Sequence, residues 1–137
     1  MTDPSASRAA MRPRPLSPHL GIYRFTPTMA MSILHRITGG ALYFGTLLVA
    51  WWIVAAASSE RAFDLVSAFF DSWIGRIVLF GYTWALVHHL LGGLRHLIWD
   101  TGHGLERRTA TMLAHATWIG SVVLTVVIWI AAYMART

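Results

Sequence analysis

Two clusters carry groups able to do chemistry in a largely apolar chain. The first is the adjacent pair His88 and His89, inside an otherwise uncharged run from Ile77 to Leu94. Ionisable groups within a bilayer-crossing segment are costly and mark functional sites by default. Neighbours on a helix point about 100° apart, so the two rings cannot address one ligand. His88 aligns with Gly92 and Arg95, and His89 with Gly93 and His96, each set following the i, i+4, i+7 spacing of one face. A glycine one turn from a histidine leaves room for a flat macrocycle, and a basic residue a further turn on suits carboxylates at the membrane surface. This spacing fits a haem ligand but does not choose between His88 and His89. A histidine hydrogen-bonded to a neighbouring helix and a proton pathway fit it as well.

The second cluster is Ser32-Ile33-Leu34-His35-Arg36. Ser32 and Arg36 are one turn apart with His35 beside them, so the three share a face. A hydroxyl and a guanidinium at the bilayer surface can hydrogen-bond the polar head of a lipid-soluble quinone. Arg36 is equally suited to a lipid phosphate or a haem propionate, or to snorkelling at a helix end. His115 is a second candidate ligand or a buried hydrogen-bonding group, and His19 and His103 read as surface residues.

The elements that position these residues follow from composition. In 137 residues, 55% are hydrophobic and 12% charged, against about 25% charged in a soluble domain. There is no Cys, which excludes disulfides, a thiol nucleophile and thiolate-ligated metal centres. All eleven basic residues are Arg, and the net charge of +5 reads as charge biased to one membrane face rather than as nucleic-acid binding. A span needs about 20 apolar residues, and three stretches supply them: Ile37 to Ala57, Ile77 to Leu94 and Met112 to Met134. With their polar ends the spans are expected over about 27–57, 73–98 and 110–135, making residues 27–137 an all-α, three-helix integral membrane domain.

Residues 1–26 form an arm that holds four of the five prolines, the fifth being Pro27 at the helix start, and the arm lacks a signal-peptide pattern. Thr26-Pro27 reads as N-cap and N1 of the first helix. Arg8, Arg12, Arg14, Arg24, Arg36, Arg95, Arg107 and Arg108 lie on one side of the expected bundle, against Arg61, Arg76 and Arg136 on the other. That bias places the arm in the cytoplasm. The loop 58–76, with Phe63, Val66, Phe69 and Phe70, is either a short interfacial helix or a packed loop.

Three motifs in order resemble the cytochrome b membrane anchor family of succinate dehydrogenase, respiratory complex II, in its mitochondrial and alphaproteobacterial branch. Arg14-Pro15-Leu16-Ser17-Pro18-His19-Leu20 with Ile22-Tyr23 resembles the family's R-P-L-S-P-H-x-x-I-Y, and Ser32 to Arg36 with Thr38-Gly39 its S-I-x-H-R-x-T/S-G. His89-Leu90-Leu91-Gly92-Gly93-Leu94-Arg95-His96 resembles H-x-x-x-G-I/L-R-H, continued by Trp99-Asp100 and Gly102.

The resemblance implies half of a two-subunit haem-binding helical bundle. It implies His89 as the haem b axial ligand, with His88 in a packing role, and Ser32 and Arg36 as ubiquinone-site residues. His35, Arg36 and His96 are implied neighbours of the haem propionates. It further implies that a second, smaller anchor subunit shares the haem. A flavoprotein subunit with FAD and the succinate site, and an iron–sulfur subunit with its clusters, are the implied peripheral partners, and the membrane lipid surrounds the chain. A bacterial inner membrane is expected from the all-Arg composition. Two other readings stay open: a structural membrane anchor without haem, and a haem b electron conduit unrelated to succinate.

Overall fold

The computed structural model describes Ile22 and residues 24–135. The motif from Arg14 to Tyr23 falls outside those residues except for Ile22, as do Arg8, Arg12, Arg14, His19 and Arg136. The described chain contains four helices and no strand: α1 (Pro27–Ser58), α2 (Glu60–Asp71), α3 (Trp73–Asp100) and α4 (Arg107–Met134). The protein is all-α, and α1, α3 and α4 are each long and apolar enough to cross a membrane. A 28-residue helix is about 42 Å long, more than the ~30 Å hydrocarbon core.

Local chemistry sets the helix ends. Thr26 is extended (φ −102°, ψ 155°) and its hydroxyl accepts from the Met29 N–H, with Pro27 in the first turn, where its missing N–H costs nothing. Ser59 ends α1 and caps α2, its hydroxyl accepting from Ala62 N–H at 3.2 Å. Ser72 repeats the device between α2 and α3, accepting from Gly75 N–H at 3.1 Å. Gly75 is required there, since a Cβ would collide with the Phe69 carbonyl. The connection from α3 to α4 turns through Gly102 (φ +79°) and Gly104 (φ +72°), a left-handed region that favours glycine.

The 58–76 segment is therefore mostly helical. Its apolar side folds back on the bundle: Phe69 and Phe70 pack on Trp51 with ring centroids 5.7 and 6.3 Å away, and Phe63 on Trp52 at 6.4 Å. Val66 is completely buried beneath them. The helix staples the far ends of α1 and α3 together.

Between the long helices the contacts are made by small and hydroxyl residues. Gly45, Ala85, Ala114, Thr117, Ser121 and Thr125 are buried, while large residues such as Tyr43, Leu86, Ile119 and Val123 point outward. Lipid tails are as apolar as Leu, so helices in a bilayer gain from close backbone approach rather than from hiding large side chains. The buried hydroxyls need no outside partner: Thr38 donates to the Leu34 carbonyl, Thr117 to Leu113 and Thr125 to Ser121.

At one such approach Gly45 of α1 lies against the Tyr82 ring of α3, where a Cβ would overlap the ring. Gly45→Ala should destabilise the detergent-solubilised protein by about 1–3 kcal/mol, the usual cost of overpacking. Adding Tyr82→Leu should recover part of the loss. Thermal unfolding of the two variants beside wild type checks this, and an undiminished Gly45→Ala transition would contradict the contact.

Candidate functional site

The two histidine-bearing segments of the sequence meet where α1 crosses α3. His89 on α3 lays its ring flat on His35 of α1, with centroids 4.0 Å apart and planes within 3°. Two glycines allow this. A Cβ on Gly39 would lie 2.9 Å from Cε1 of His89, and one on Gly92 would run into the His35 ring. Each helix thus offers a glycine to the other helix's histidine.

The tautomer of His89 follows from its partners. Nδ1 lies 3.1 Å from the His35 backbone carbonyl. A carbonyl only accepts, so Nδ1 carries the proton and donates. The Thr38 hydroxyl, 3.4 Å from the same nitrogen, donates to the carbonyls of Leu34 and His35 at 2.9 and 3.0 Å. In the neutral ring this leaves the Nε2 lone pair without a hydrogen-bond partner among the described residues. An imidazole whose other N–H is held by a backbone carbonyl is the arrangement that orients a metal-bound histidine. The stacked His35 ring does not block it, because ligation uses the in-plane lone pair.

Space agrees with this direction. A Cβ on Gly93, one turn from His89, would meet nothing within 4 Å. His96, two turns on, is exposed, and its ring is 5.3 Å from that of His35. Ser32 is half-buried and Arg36 exposed on α1, and neither makes a hydrogen bond to a described residue. His35, His89 and His96 are brought together, with Ser32 and Arg36 on the turns of α1 flanking His35.

The other row of α3 faces inward. His88 is completely buried (0% exposed), with Nδ1 3.2 Å from the Ser121 hydroxyl of α4 and its ring stacked on Trp84 at 5.2 Å. Both twin histidines are bonded to a neighbouring helix, His88 to α4 and His89 to α1, and they differ in burial, His88 being enclosed and His89 half-buried. Gly92 makes room for His35 rather than for a macrocycle beside His88. Arg95 is buried within the chain (3% exposed), its guanidinium 5.1 Å from the centre of Trp99. His115 lies on an exposed face of α4, outside the cluster, and His103 is exposed and bonded to Thr101. Sequence reasoning assigned no role to Thr38, Gly39 or Ser121. Thr38 and Gly39 lay inside a quoted motif, whereas nothing in the sequence around Ser121 marks it.

Three apolar helices, two of which cross at a histidine cluster, define a multi-pass helical membrane protein. A family model described as "Succinate dehydrogenase/Fumarate reductase transmembrane subunit" matches residues 11–128, and the chain belongs to that family. It is 48% identical over 121 residues to the succinate dehydrogenase cytochrome b556 subunit of Paracoccus denitrificans, covering 88% of this chain and 93% of that one. The cytochrome b556 subunit of Rickettsia felis is 34% identical over 117 residues (85% and 91% covered). The mitochondrial cytochrome b560 subunit of Sus scrofa is 41% identical over 97 residues (67% and 56% covered). Each of these relatives is named as a succinate dehydrogenase cytochrome b subunit.

The two adjacent glycines should respond oppositely to a methyl group. Gly92→Ala should displace His35 and lower thermal stability by about 1–3 kcal/mol. Gly93→Ala should leave the fold as stable as wild type or slightly more so, because alanine is the better helix former. Melting curves of the purified variants compare them, and equal losses at both positions would contradict the crossing geometry.

Proposed function

We propose that this chain is the haem b-binding anchor of a succinate:ubiquinone oxidoreductase and that His89 is its axial haem ligand. The observation that carries the reading is the His89 ring: Nδ1–H is held by the His35 carbonyl at 3.1 Å, Nε2 is left to coordinate, and open space adjoins Gly93. The cytochrome b names of the relatives agree with it. His35, Arg36 and His96 cluster on the same end of the bundle as His89 and serve the haem propionates. A bound haem supplies a one-electron redox couple, while the protein supplies binding, orientation and field. The second axial ligand comes from a smaller anchor subunit, because His115 stands apart on α4.

Ser32 and Arg36 bind ubiquinone. Both present unpaired donors one turn apart, which suits a quinone head that gains negative charge during reduction. The complex is completed by the flavoprotein and iron–sulfur subunits, which carry FAD and the iron–sulfur clusters and dock on the cytoplasmic side of a bacterial inner membrane, where the chain's N-terminal arm lies. Succinate is oxidised on the flavoprotein, so no residue of this chain touches it.

His89→Leu should abolish or severely perturb the haem b alpha band in a reduced-minus-oxidised spectrum of the purified complex. His88→Leu should leave that band in place, since its ring points into the α3–α4 contact. Haem lost with His88→Leu and kept with His89→Leu would sink the ligand assignment.

For the quinone site, Ser32→Ala and Arg36→Leu should slow succinate-driven reduction of a quinone analogue while sparing that of a soluble dye, which takes electrons upstream. Loss of a hydrogen bond to a charged or polarised group costs about 1.5–3 kcal/mol, or roughly 10- to 150-fold in the affected step. Arg36→Leu should be the more damaging of the two because charge is lost with it. Normal quinone kinetics and inhibitor sensitivity in both variants would rule the site out.

A further inference from the structure

Arg95 is a buried guanidinium that no carboxylate among the described residues neutralises. It is 3% exposed, it forms no ion pair with a described residue, and its Nε and Nη1 have no hydrogen-bond partner. Its guanidinium carbon lies 5.1 Å from the centre of the Trp99 ring. A cation–π contact compensates only part of the desolvation of a charge, so retaining this buried one calls for a use.

That use is legible in what Trp99 touches. The Trp99 ring meets His96 edge-on at 5.2 Å, His96 lies 5.3 Å from His35, and His35 stacks on His89 at 4.0 Å. The buried charge is thus joined to His89 by four successive ring contacts. Trp99 is itself fixed, donating from Nε1 to the Gly104 carbonyl at 3.1 Å in the turn where Gly104 adopts φ +72°. Arg95 stands in the inward row with His88 and Gly92, whereas His89 and Gly93 stand in the row beside open space. Its influence on a group held by His89 is therefore through its field rather than by contact.

We propose that Arg95 is an electrostatic positioning residue whose buried, unpaired charge raises the reduction potential of the haem held by His89. The inference rests on the haem ligation proposed above. Reduction adds one electron to the site, and a fixed cation favours the more negative state. The interaction is strong where no water or salt screens it. Surrounding charge and burial are among the levers by which a protein sets a haem potential.

The test uses the complete complex purified from its own membranes, with Arg95→Lys, Arg95→Gln and Arg95→Met. Haem content is measured first, and the alpha band is then titrated against ambient potential. Both neutral variants should hold haem with the reduction equilibrium shifted about tenfold toward the oxidised form, ~59 mV for one electron. Arg95→Lys, which keeps the charge and loses the planar fork, should stay within about threefold of wild type. An unchanged midpoint in a haem-replete neutral variant would overturn the proposal. So would an equal shift in Arg95→Lys, which would trace the effect to packing. Loss of haem from both neutral variants would also overturn it, since the charge would then be needed for binding rather than for tuning. A wild-type complex without haem would instead remove the ligation reading beneath it.

Discussion

The crossing of α1 and α3 depends on an exchange: His35 occupies the space left by Gly92, and His89 that left by Gly39. Neither histidine could reach its position if the opposite helix carried a Cβ. The exchange brings the backbones close enough for the His35 carbonyl to accept from Nδ1 of His89 at 3.1 Å. That carbonyl lies in the helix interior, where it already belongs to the ladder of α1, and it uses its second lone pair for the ring. Orientation of the His89 imidazole is therefore set by backbone, which is harder to displace than a side-chain partner.

The two ends of the bundle are fastened differently, and the difference suits what each end does. At the far end, α2 folds Phe63, Phe69 and Phe70 onto Trp51 and Trp52 and buries Val66. This contact is aromatic. At the end where α1 begins, the contact is a stack of imidazoles with a free lone pair and exposed donors nearby. A site that must receive a ligand leaves polar groups unpaired, and those weaken packing. The aromatic staple and the serine caps at Ser59 and Ser72 hold the helices in register away from that site.

Much of this was legible in the sequence because the bilayer restricts the choices. Apolar runs of the required length identify helices with few rivals, since every backbone polar group must be satisfied within the segment. Thr26-Pro27 announced the start of α1 through local capping chemistry, which depends on no distant residue. The clusters at Ser32–Arg36 and His88–His96 were visible as polar groups in an apolar setting. Which glycine served which histidine was not, because periodicity gives the face of a helix but not the partner across the gap. Gly92 and Gly93 are both small and lie 100° apart, and only the position of α1 makes one tight and the other open. The burial of Arg95 was hidden for a related reason: spacing puts it on the face of α3 that carries His88 and Gly92, but not what covers that face. The short helix α2 was undecided because 12 residues with mixed polarity satisfy a packed loop as well as a helix.

The two rows of α3 divide its work. The inward row of His88, Gly92 and Arg95 makes the three helices one body, through the bond of His88 to Ser121 and the fit of Gly92 against His35. The second row, His89, Gly93 and His96, meets α1 at its upper turn and opens outward below. Adjacent residues with the same side chain thus acquire opposite characters from a 100° rotation about one axis. His88 has its Nδ1 bonded inside the chain and no outward route. His89 has its Nδ1 bonded to backbone and its remaining nitrogen without a hydrogen-bond partner among the described residues. The open surface along Gly93 and the unpaired donors of Ser32 and Arg36 are therefore consistent with a protein whose site is completed by assembly with other subunits.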